Sequence, residues 1–257
     1  MLNDGLMLLL GSLFALSVGS FLNVVVYRLP LMILQPEKKL SLALPPSHCP
    51  HCHNALRKRD NIPLLSWLVL RGRCHHCAHP ISMRYPATEL ATLILSLFLA
   101  WLLPWDTTLL AALLLCWMLL ALTLIDIEHQ LLPDALTLSL LWLGLVLQAL
   151  AWLPSSLNDA VLGAAIGYLA LWLLATGYRY WRGIDALGLG DAKLLAALGA
   201  WLGWQMLPTV LLIAAGAGIV TVILRALLFK RPLHQPLPFG PMLAFAGALM
   251  FVYPLIE

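Results

Sequence analysis

The chain has 257 residues, of which 61% are hydrophobic and only 11% are charged. Soluble domains carry charges on about a quarter of their residues, so this composition excludes an ordinary water-soluble globular protein. The net charge of +3 excludes little by itself. The sequence predicts an all-α polytopic membrane protein, in which apolar segments of about 20 residues cross the bilayer as helices.

Eight apolar runs are candidate transmembrane helices. They cover approximately residues 6–27, 87–104, 108–127, 134–153, 159–181, 192–206, 208–229 and 239–256. The sixth is short, so it either enters the membrane at a slant or joins the seventh closely at Pro208. No basic region precedes the first run, whereas a cleavable signal peptide has one. We therefore expect a retained first helix with its N-terminus outside the cytoplasm.

Every lysine and arginine falls on one predicted side of the membrane. With an external N-terminus, all 15 lie in the cytoplasmic segments or at the helix ends beside them, and these segments are 28–86, 128–133, 182–191 and 230–238. Because loops rich in lysine and arginine stay in the cytoplasm, we expect both termini outside. Asp126, at the end of the third helix, and Asp191, at the start of the sixth, would then share the cytoplasmic face.

The segment 28–86 is the only long polar stretch, and it contains two C-x2-C pairs. Cys49 and Cys52 form the first pair, and Cys74 and Cys77 form the second. Two such pairs can supply the four thiolates of a tetrahedral zinc site. With all four positions filled by protein, the metal would be structural and would help a polar segment to fold. A redox role or metal-free thiols are the alternatives.

Other features of this segment have simpler explanations. Its six histidines are interpreted as neighbours of the metal ligands or as solvated side chains. The basic cluster at residues 57–59 is interpreted as a contact with anionic lipid, and we expect no nucleic-acid partner. Cys116 lies in the middle of an apolar run, so we interpret it as an inert packing residue.

Two acids stand out because ionisable groups at membrane depth are costly and usually functional. Asp126 follows about eighteen uncharged residues, and Asp191 follows Gly188 and Gly190 in the sequence G-L-G-D. Glycines allow close backbone approach, which suggests an active-site loop beside the second acid. Two neighbouring carboxylates cannot both ionise cheaply, so one can hold a proton while the other activates water. The sequence leaves open that Asp126 ends a helix at headgroup level and that Asp191 is an N-cap.

At this point the chain resembles the type IV prepilin peptidase family, over nearly its whole length. The motifs that carry the resemblance are G-S-F-L-N-V-V at 19–25, the paired C-x2-C knuckles, R-Y-P at 84–86, L-P-D at 132–134, G-L-G-D-A-K at 188–193 and P-F-G-P at 238–241. The G-x-G-D motif is shared with presenilin-like intramembrane proteases. The resemblance implies that Asp126 and Asp191 are the catalytic pair.

The resemblance implies a bacterial inner-membrane enzyme that cleaves the leader of type IV prepilins or type II secretion pseudopilins at the cytoplasmic face. It also implies methylation of the new N-terminus with S-adenosylmethionine. We expect the module and its junction near Glu89 to take part, although an acid favoured by the dipole at a helix N-terminus explains Glu89 equally well. No residues for the methyl donor are assigned. The expected domains are a first transmembrane helix at 1–27, a cytoplasmic four-cysteine module at 28–86, and a membrane-embedded aspartic protease at 87–257.

Two other classes of function remain open on the residues alone. In a proton-coupled transporter, Asp126 and Asp191 would relay protons, although no inverted repeat is evident. In a non-catalytic assembly scaffold, the four-cysteine module would be the docking surface. The sequence indicates nothing about the oligomeric state.

Overall fold

The computed structural model describes residues 2–49, 51–183, 188–229 and 237–255. Lys230 and Arg231, two of the residues on which the topology prediction rests, lie outside the described residues, as does the end of the eighth predicted span. The chain divides into two compact units, Met1–Leu102 and Leu103–Glu257. The described residues contain α-helices, short 3-10 helices and two isolated β-bridges but no β-strand, which confirms the all-α prediction.

In the part of the first unit that the structure describes, the α-helices are α1 (Leu2–Leu34), α2 (Leu65–Val69) and α3 (Arg84–Leu102). Helices α1 and α3 pack against each other. The helices approach each other closely at Gly19, where an added Cβ would lie 2.9 Å from the Cα of Glu89. One turn further along α1, Asn23 donates a 3.0 Å hydrogen bond to the carbonyl of Tyr85. A small residue and an interhelical hydrogen bond thus hold the two helices together, as is common within membranes.

A buried arginine supports the irregular segment between α1 and α2. Arg28 of α1 is buried, and its guanidinium donates to the carbonyls of Ser41, Leu42 and Pro45 at 2.6–3.2 Å. Guanidinium groups present several donors in a fixed geometry, so one side chain can satisfy three backbone acceptors. This arrangement fixes the start of the polar segment against the end of α1.

The described residues of the second unit contain six α-helices. They are α4 (Thr107–His129), α5 (Asp134–Ala149), α6 (Leu157–Arg182), α7 (Leu189–Leu202), α8 (Leu207–Phe229) and α9 (Gly240–Val252). Helix α7 contacts α5, α6, α8 and α9, while α9 also packs against α4. The core of this unit is therefore built around α7, and most of the α7 side chains are buried.

Small residues allow α7 to be surrounded so closely. Gly163 of α6 and Gly199 of α7 face each other with no room for a side chain on either residue. On another side, the indole of Trp201 packs on Gly144 of α5 and donates a 2.8 Å hydrogen bond to the carbonyl of Leu140. Helix α7 has 14 residues, about 21 Å of helix, against about 30 Å of hydrocarbon. Since protein surrounds it, its length need not match the bilayer.

Among the residues described, five helices are long and apolar enough to cross a membrane: Gly5–Leu34, Arg84–Leu102, Thr107–His129, Leu157–Arg182 and Trp204–Leu228. Asp134–Ala149 and Gly240–Leu255 are shorter apolar helices. This content confirms a polytopic helical protein with a four-cysteine cluster between its first two long helices. The count of eight spans stays a prediction.

Candidate active site and metal centre

Asp126 lies in the last turn of α4 and is only 5% exposed. Its Oδ2 accepts a 2.9 Å hydrogen bond from the backbone amide of Gly240, the first residue of α9. The first amides of a helix have no partner within the helix and carry partial positive charge. The N-terminus of α9 therefore provides the polar partner that a buried carboxylate requires.

Asp191 lies in the first turn of α7 and is 9% exposed. The N-cap residue of this helix is Gly188, so Asp191 is not the N-cap that one alternative predicted. Its carboxylate accepts a hydrogen bond from the Gly188 backbone, and its own amide donates to the Gly188 carbonyl at 3.2 Å. Each of the two buried aspartates thus accepts from a glycine amide at the start of a helix.

The two carboxylates lie close enough for the charge of Asp126 to act electrostatically on Asp191. The buried side chain of Leu132 connects their surroundings. A Cβ on Gly190 would lie 2.9 Å from Cβ of Leu132, and one on Gly240 would lie 3.2 Å from Cδ2 of Leu132. Leu132 therefore fills the space between the starts of α7 and α9. The start of α7 carries Asp191, and the start of α9 carries Gly240, which binds Asp126.

The glycines of the G-L-G-D motif have different surroundings. Gly190 packs on Leu132, whereas Gly188 is exposed. A Cβ added to Gly188 would lie 3.6 Å from Oδ2 of Asp191. The close approach at Gly190 is made by the protein's own side chain. Among the described residues, the atom nearest to a Cβ added at Gly188 belongs to the Asp191 carboxylate.

The other acids near Asp126 are engaged elsewhere. Asp134, the first residue of α5, binds the Lys193 ammonium through both carboxylate oxygens at 2.6 and 2.7 Å. Glu128 lies 3.9 Å from the His129 ring in a partly exposed pair. Cys116 is buried in α4, in agreement with the predicted packing role. Asp126 and Asp191 are thus the two buried aspartates among the described residues.

The four predicted metal ligands come together in the first unit. The sulfur atoms of Cys49, Cys52, Cys74 and Cys77 all lie within 4.8 Å of one another. The Cys49–Cys77 distance is 3.9 Å and the Cys52–Cys74 distance is 4.0 Å. Zn–S bonds of 2.3 Å imply tetrahedron edges of about 3.8 Å. The cluster therefore has the donor set and dimensions to hold a metal ion such as zinc.

The two C-x2-C pairs fold into the same turn. In the first, the Cys49 amide donates to the Asn54 carbonyl and the His53 amide donates to the Cys49 carbonyl. In the second, the Cys74 amide donates to the His79 carbonyl and the Ala78 amide donates to the Cys74 carbonyl. His53 and Ala78 both have positive φ, at 57° and 55°. This repeated turn directs all four thiols to one point.

Backbone donors favour the thiolate form of one ligand, Cys74, while burial and its neighbouring thiols raise the pKa of Cys77 to about 12. Hydrogen bonds from the backbone amides of Cys77 and then His76 lower the pKa of Cys74 to about 7. The thiolate is the form that binds metal. All five cysteines of the chain are free of disulfides. Histidine rings near the cluster pack on one another. The rings of His51 and His79 are stacked, with their centroids 4.3 Å apart.

Glu89, which the sequence linked to methylation, is a buried residue of α3. Its Oε2 accepts a 2.7 Å hydrogen bond from the Leu64 amide, and its carboxylate also binds the hydroxyl of Ser20. It therefore joins the polar segment to α1 and α3 within the first unit. The structure thus gives Glu89 a positioning role of its own.

Sequence reasoning missed the parts of the site made by backbone and apolar atoms. In the sequence, Gly240 stands out only as part of P-F-G-P, and Leu132 only as part of L-P-D. L-P-D lies shortly after Asp126, and P-F-G-P lies at the start of the last predicted span. These positions at helix borders are the one signal that could have linked Leu132 and Gly240 to the site. An amide donor and a leucine contact have no charged or nucleophilic residue type to mark them.

The fold and the two buried aspartates define an α-helical membrane protein with the groups of an aspartic protease. Comparisons with known proteins agree with this class. The model of the bacterial peptidase A24 N-terminal domain matches residues 13–103, and that of the type IV leader peptidase family matches residues 113–223. The chain belongs to the type IV leader peptidase family.

Curated relatives extend the match over most of the chain. A prepilin leader peptidase/N-methyltransferase of Pectobacterium carotovorum is 50% identical over 248 residues, which cover 90% of this chain and 88% of the relative. Proteins with the same name from Aeromonas hydrophila and Pseudomonas aeruginosa are 48% and 45% identical. They cover 94% of this chain, with 89% and 88% of their own lengths aligned. No solved structure matches the chain.

Proposed function

We propose that this chain is a leader peptidase that cleaves type IV prepilins or type II secretion pseudopilins and then methylates the new N-terminus. The family and the names of its relatives support both activities. The transporter and scaffold alternatives have no comparable support. The structural observation that carries the proposal is the pair of buried aspartates, each bound by a glycine amide at a helix start.

In the proposed reaction, Asp126 and Asp191 share one proton. The ionised carboxylate takes a proton from water, and the oxygen of that water attacks the scissile carbonyl carbon. The protonated carboxyl gives its proton to the carbonyl oxygen, which produces a tetrahedral diol. When the diol collapses, the C–N bond breaks and the carboxyl that took the proton from water gives it to the leaving amine. One diol hydroxyl gives its proton to the other carboxylate as the carboxylic acid of the product forms. The pair thereby returns to its starting state of protonation.

The glycine amides would orient the two acids for this exchange. An amide donor fixes one oxygen of each carboxylate and leaves the other free for water or the peptide. Because Gly188 is exposed beside Asp191, an extended substrate would approach that carboxylate on the Gly188 side. Gly190 would allow the active-site loop to pack closely against Leu132, because a side chain at this position would collide with it.

We also propose that the enzyme is a multi-pass protein of the bacterial inner membrane with both termini outside the cytoplasm. The distribution of all 15 lysines and arginines supports this orientation. Asp126 is in the last turn of α4 and Asp191 is in the first turn of α7. Both acids would then work at the cytoplasmic face, where a prepilin leader is accessible. Residues 87–257 would form the protease domain.

For the four-cysteine cluster we propose a structural zinc ion. Cys49, Cys52, Cys74 and Cys77 would fill all four positions of a tetrahedron, which leaves none for substrate. The ion would cross-link two turns in a segment of the chain that has few apolar contacts of its own. The zinc would thereby stabilise residues 28–86 as one module.

The methyl group would come from S-adenosylmethionine, as the relatives' second activity implies. We assign to Glu89 the task of orienting the new amino group, because its carboxylate is buried and complementary to an ammonium. The same carboxylate holds Leu64 and Ser20, so its position is fixed before the substrate arrives. The donor pocket itself has no assigned residue.

The proposal is tested with the full chain purified in detergent and a recombinant prepilin that carries its leader. Mass spectrometry should find two products whose masses sum to the substrate plus one water. With S-adenosylmethionine present, the mature product should gain the mass of one methyl group. An intact prepilin after incubation with a folded, zinc-loaded protein would contradict the peptidase function. A cleaved but unmethylated product would contradict only the second activity.

A further inference from the structure

Lys193 and Asp134 form an ion pair that neither activity explains. The ammonium of Lys193 on α7 lies 2.6 and 2.7 Å from the two carboxylate oxygens of Asp134, the first residue of α5. The side chain of Lys193 is 28% exposed and that of Asp134 is 59% exposed. The pair therefore joins the starts of two helices at a partly accessible place.

Both partners are close in sequence to the proposed catalytic acids. Lys193 is two residues after Asp191 on α7. Asp134 follows Asp126 by eight residues, at the far end of the short connection between α4 and α5. Leu132 belongs to that connection and packs on Gly190. The ion pair and the Leu132 contact thus both hold the start of α7 against the segment that joins α4 to α5.

Lys193 cannot share the face of α7 that Asp191 presents. At 3.6 residues per turn, side chains two positions apart point about 200° apart around the helix. The ammonium of Lys193 is therefore directed to α5, away from the pair of carboxylates. Asp134 pairs the charge of Lys193, so we expect Lys193 to affect the reaction through the position of the helix, as a positioning residue.

We propose that the Lys193–Asp134 ion pair fixes the start of α7 relative to the end of α4 and so sets the separation of Asp191 and Asp126. The inference rests on the proposed two-aspartate mechanism. Partly exposed ion pairs contribute little to global stability, so variants of this pair should fold. Misplacement of a reacting group by 1 Å can cost about 100-fold in rate, so activity should be far more sensitive than stability.

The experiment uses the full chain with Lys193→Met, Asp134→Asn, the double variant and Lys193→Arg. Each single neutral variant should lower kcat roughly 10- to 100-fold with little change in KM. The double variant should lose no more than either single variant, because both remove the same interaction. Lys193→Arg retains a cation that can bind both carboxylate oxygens, and it should restore most of the turnover.

A matched control removes a polar contact at the opposite end of α7. Gln205 follows that helix and donates a 2.8 Å hydrogen bond to Asp159 of α6. Gln205→Ala should leave kcat within about twofold of the parent, since surface contacts of this kind change stability only slightly. A loss of kcat equal to that of Lys193→Met would show a general effect of loosening α7.

A second readout does not depend on cleavage. Hydrogen exchange of the amides at 189–193 should be faster in Lys193→Met and Asp134→Asn than in the parent, and normal in Lys193→Arg. Unchanged exchange together with additive losses of kcat would overturn the positioning role. Failure of the proposed function gives a different pattern, in which the parent protein itself does not cleave, while the exchange data still test the ion pair.

Discussion

The backbone amide of Gly240 donates a 2.9 Å hydrogen bond to Oδ2 of Asp126, although 114 residues separate the two in sequence. Helix α9 begins at Gly240, and Pro241 follows as a residue without an amide hydrogen. The amide of Gly240 has no partner within its own helix and donates to the aspartate instead. The last helix of the chain therefore contributes directly to the site formed by α4 and α7.

Gly240→Ala should strongly reduce cleavage. A Cβ at this position would lie 2.6 Å from Oδ2 of Asp126 and 3.1 Å from its Cγ, so the carboxylate or the start of α9 must move. We expect kcat to fall about 100-fold, the scale for a displacement near 1 Å. Steady-state cleavage of a prepilin measures the effect.

Gly216→Ala is the control for this substitution. Gly216 lies in α8, and an added Cβ would meet nothing within 4 Å. Alanine favours a helix over glycine by about 1 kcal/mol, so this variant should fold well and cleave normally. Equal activity of Gly240→Ala and Gly216→Ala would contradict the role of α9.

The elements that sequence reasoning could predict are those marked by residue type and spacing. Asp126 and Asp191 stand out as acids beside long uncharged runs, and the spacing of the two C-x2-C pairs predicts the four-cysteine cluster that could hold a metal ion. The all-α architecture follows from apolar runs of membrane length. In each case a local pattern has one strong physical cause, such as the cost of a buried charge.

The contacts that position the aspartates could not be predicted from local patterns. The Gly240 amide and the Leu132 side chain reach the site through packing between distant segments, and any residue has an amide. Asp191 illustrates a local limit, because aspartate is favourable both at the N-cap and in the first turn of a helix. Only the position of Gly188 at the N-cap distinguishes these two possibilities.

Removal of the metal should affect the module before it affects the aspartates. Cys49→Ser or Cys74→Ser should abolish stoichiometric zinc binding, because a four-thiolate site loses one ligand. The module should then become sensitive to protease, since structural zinc contributes directly to folding. Zinc content by elemental analysis and limited proteolysis of residues 28–86 measure these effects.

Cys116→Ser provides the comparison for the cysteine variants. Cys116 is buried in α4, so it should contribute nothing to zinc content. If Cys49→Ser retained one zinc per chain, or if the parent protein contained none after purification without chelators, the structural zinc site would be contradicted.

Glu89→Gln should separate the two activities. Glutamine can still accept the hydrogen bond from the Leu64 amide, so the fold of the first unit should persist, while the negative charge is lost. We expect methylation to fall at least tenfold, in line with the loss of one charge-assisted hydrogen bond, and cleavage to be unchanged. The methylated fraction of the mature product, measured by mass, tests this. Parallel losses of both activities would contradict the assignment.

The rate of cleavage should depend on pH as a bell-shaped curve. At low pH both aspartates are protonated and no base is present, whereas at high pH both are ionised and no acid is present. Activity therefore falls on either side of an optimum, and the two limbs belong to the pair as a unit. Initial rates across pH measure the curve, with recovery at the optimum as the control for unfolding. A profile that rises with pH and then stays level would contradict the shared proton.

The central claim is tested most directly by prepilin cleavage with Asp126→Asn and Asp191→Asn. Asparagine retains the shape and hydrogen-bond acceptor of each side chain but cannot act as acid or base. Asp106→Asn is the matched control, because Asp106 caps the opposite end of α4 through a 2.8 Å hydrogen bond from the Thr108 amide. Asparagine is an equally good cap.

We predict that Asp126→Asn and Asp191→Asn each lose about 10²- to 10⁴-fold in turnover, the scale for loss of an essential acid or base. They should keep their zinc content and thermal stability, and Asp106→Asn should cleave at the parent rate. If either site variant cleaved at the parent rate while folded, that aspartate would not belong to the catalytic pair, and the two-aspartate mechanism would be contradicted.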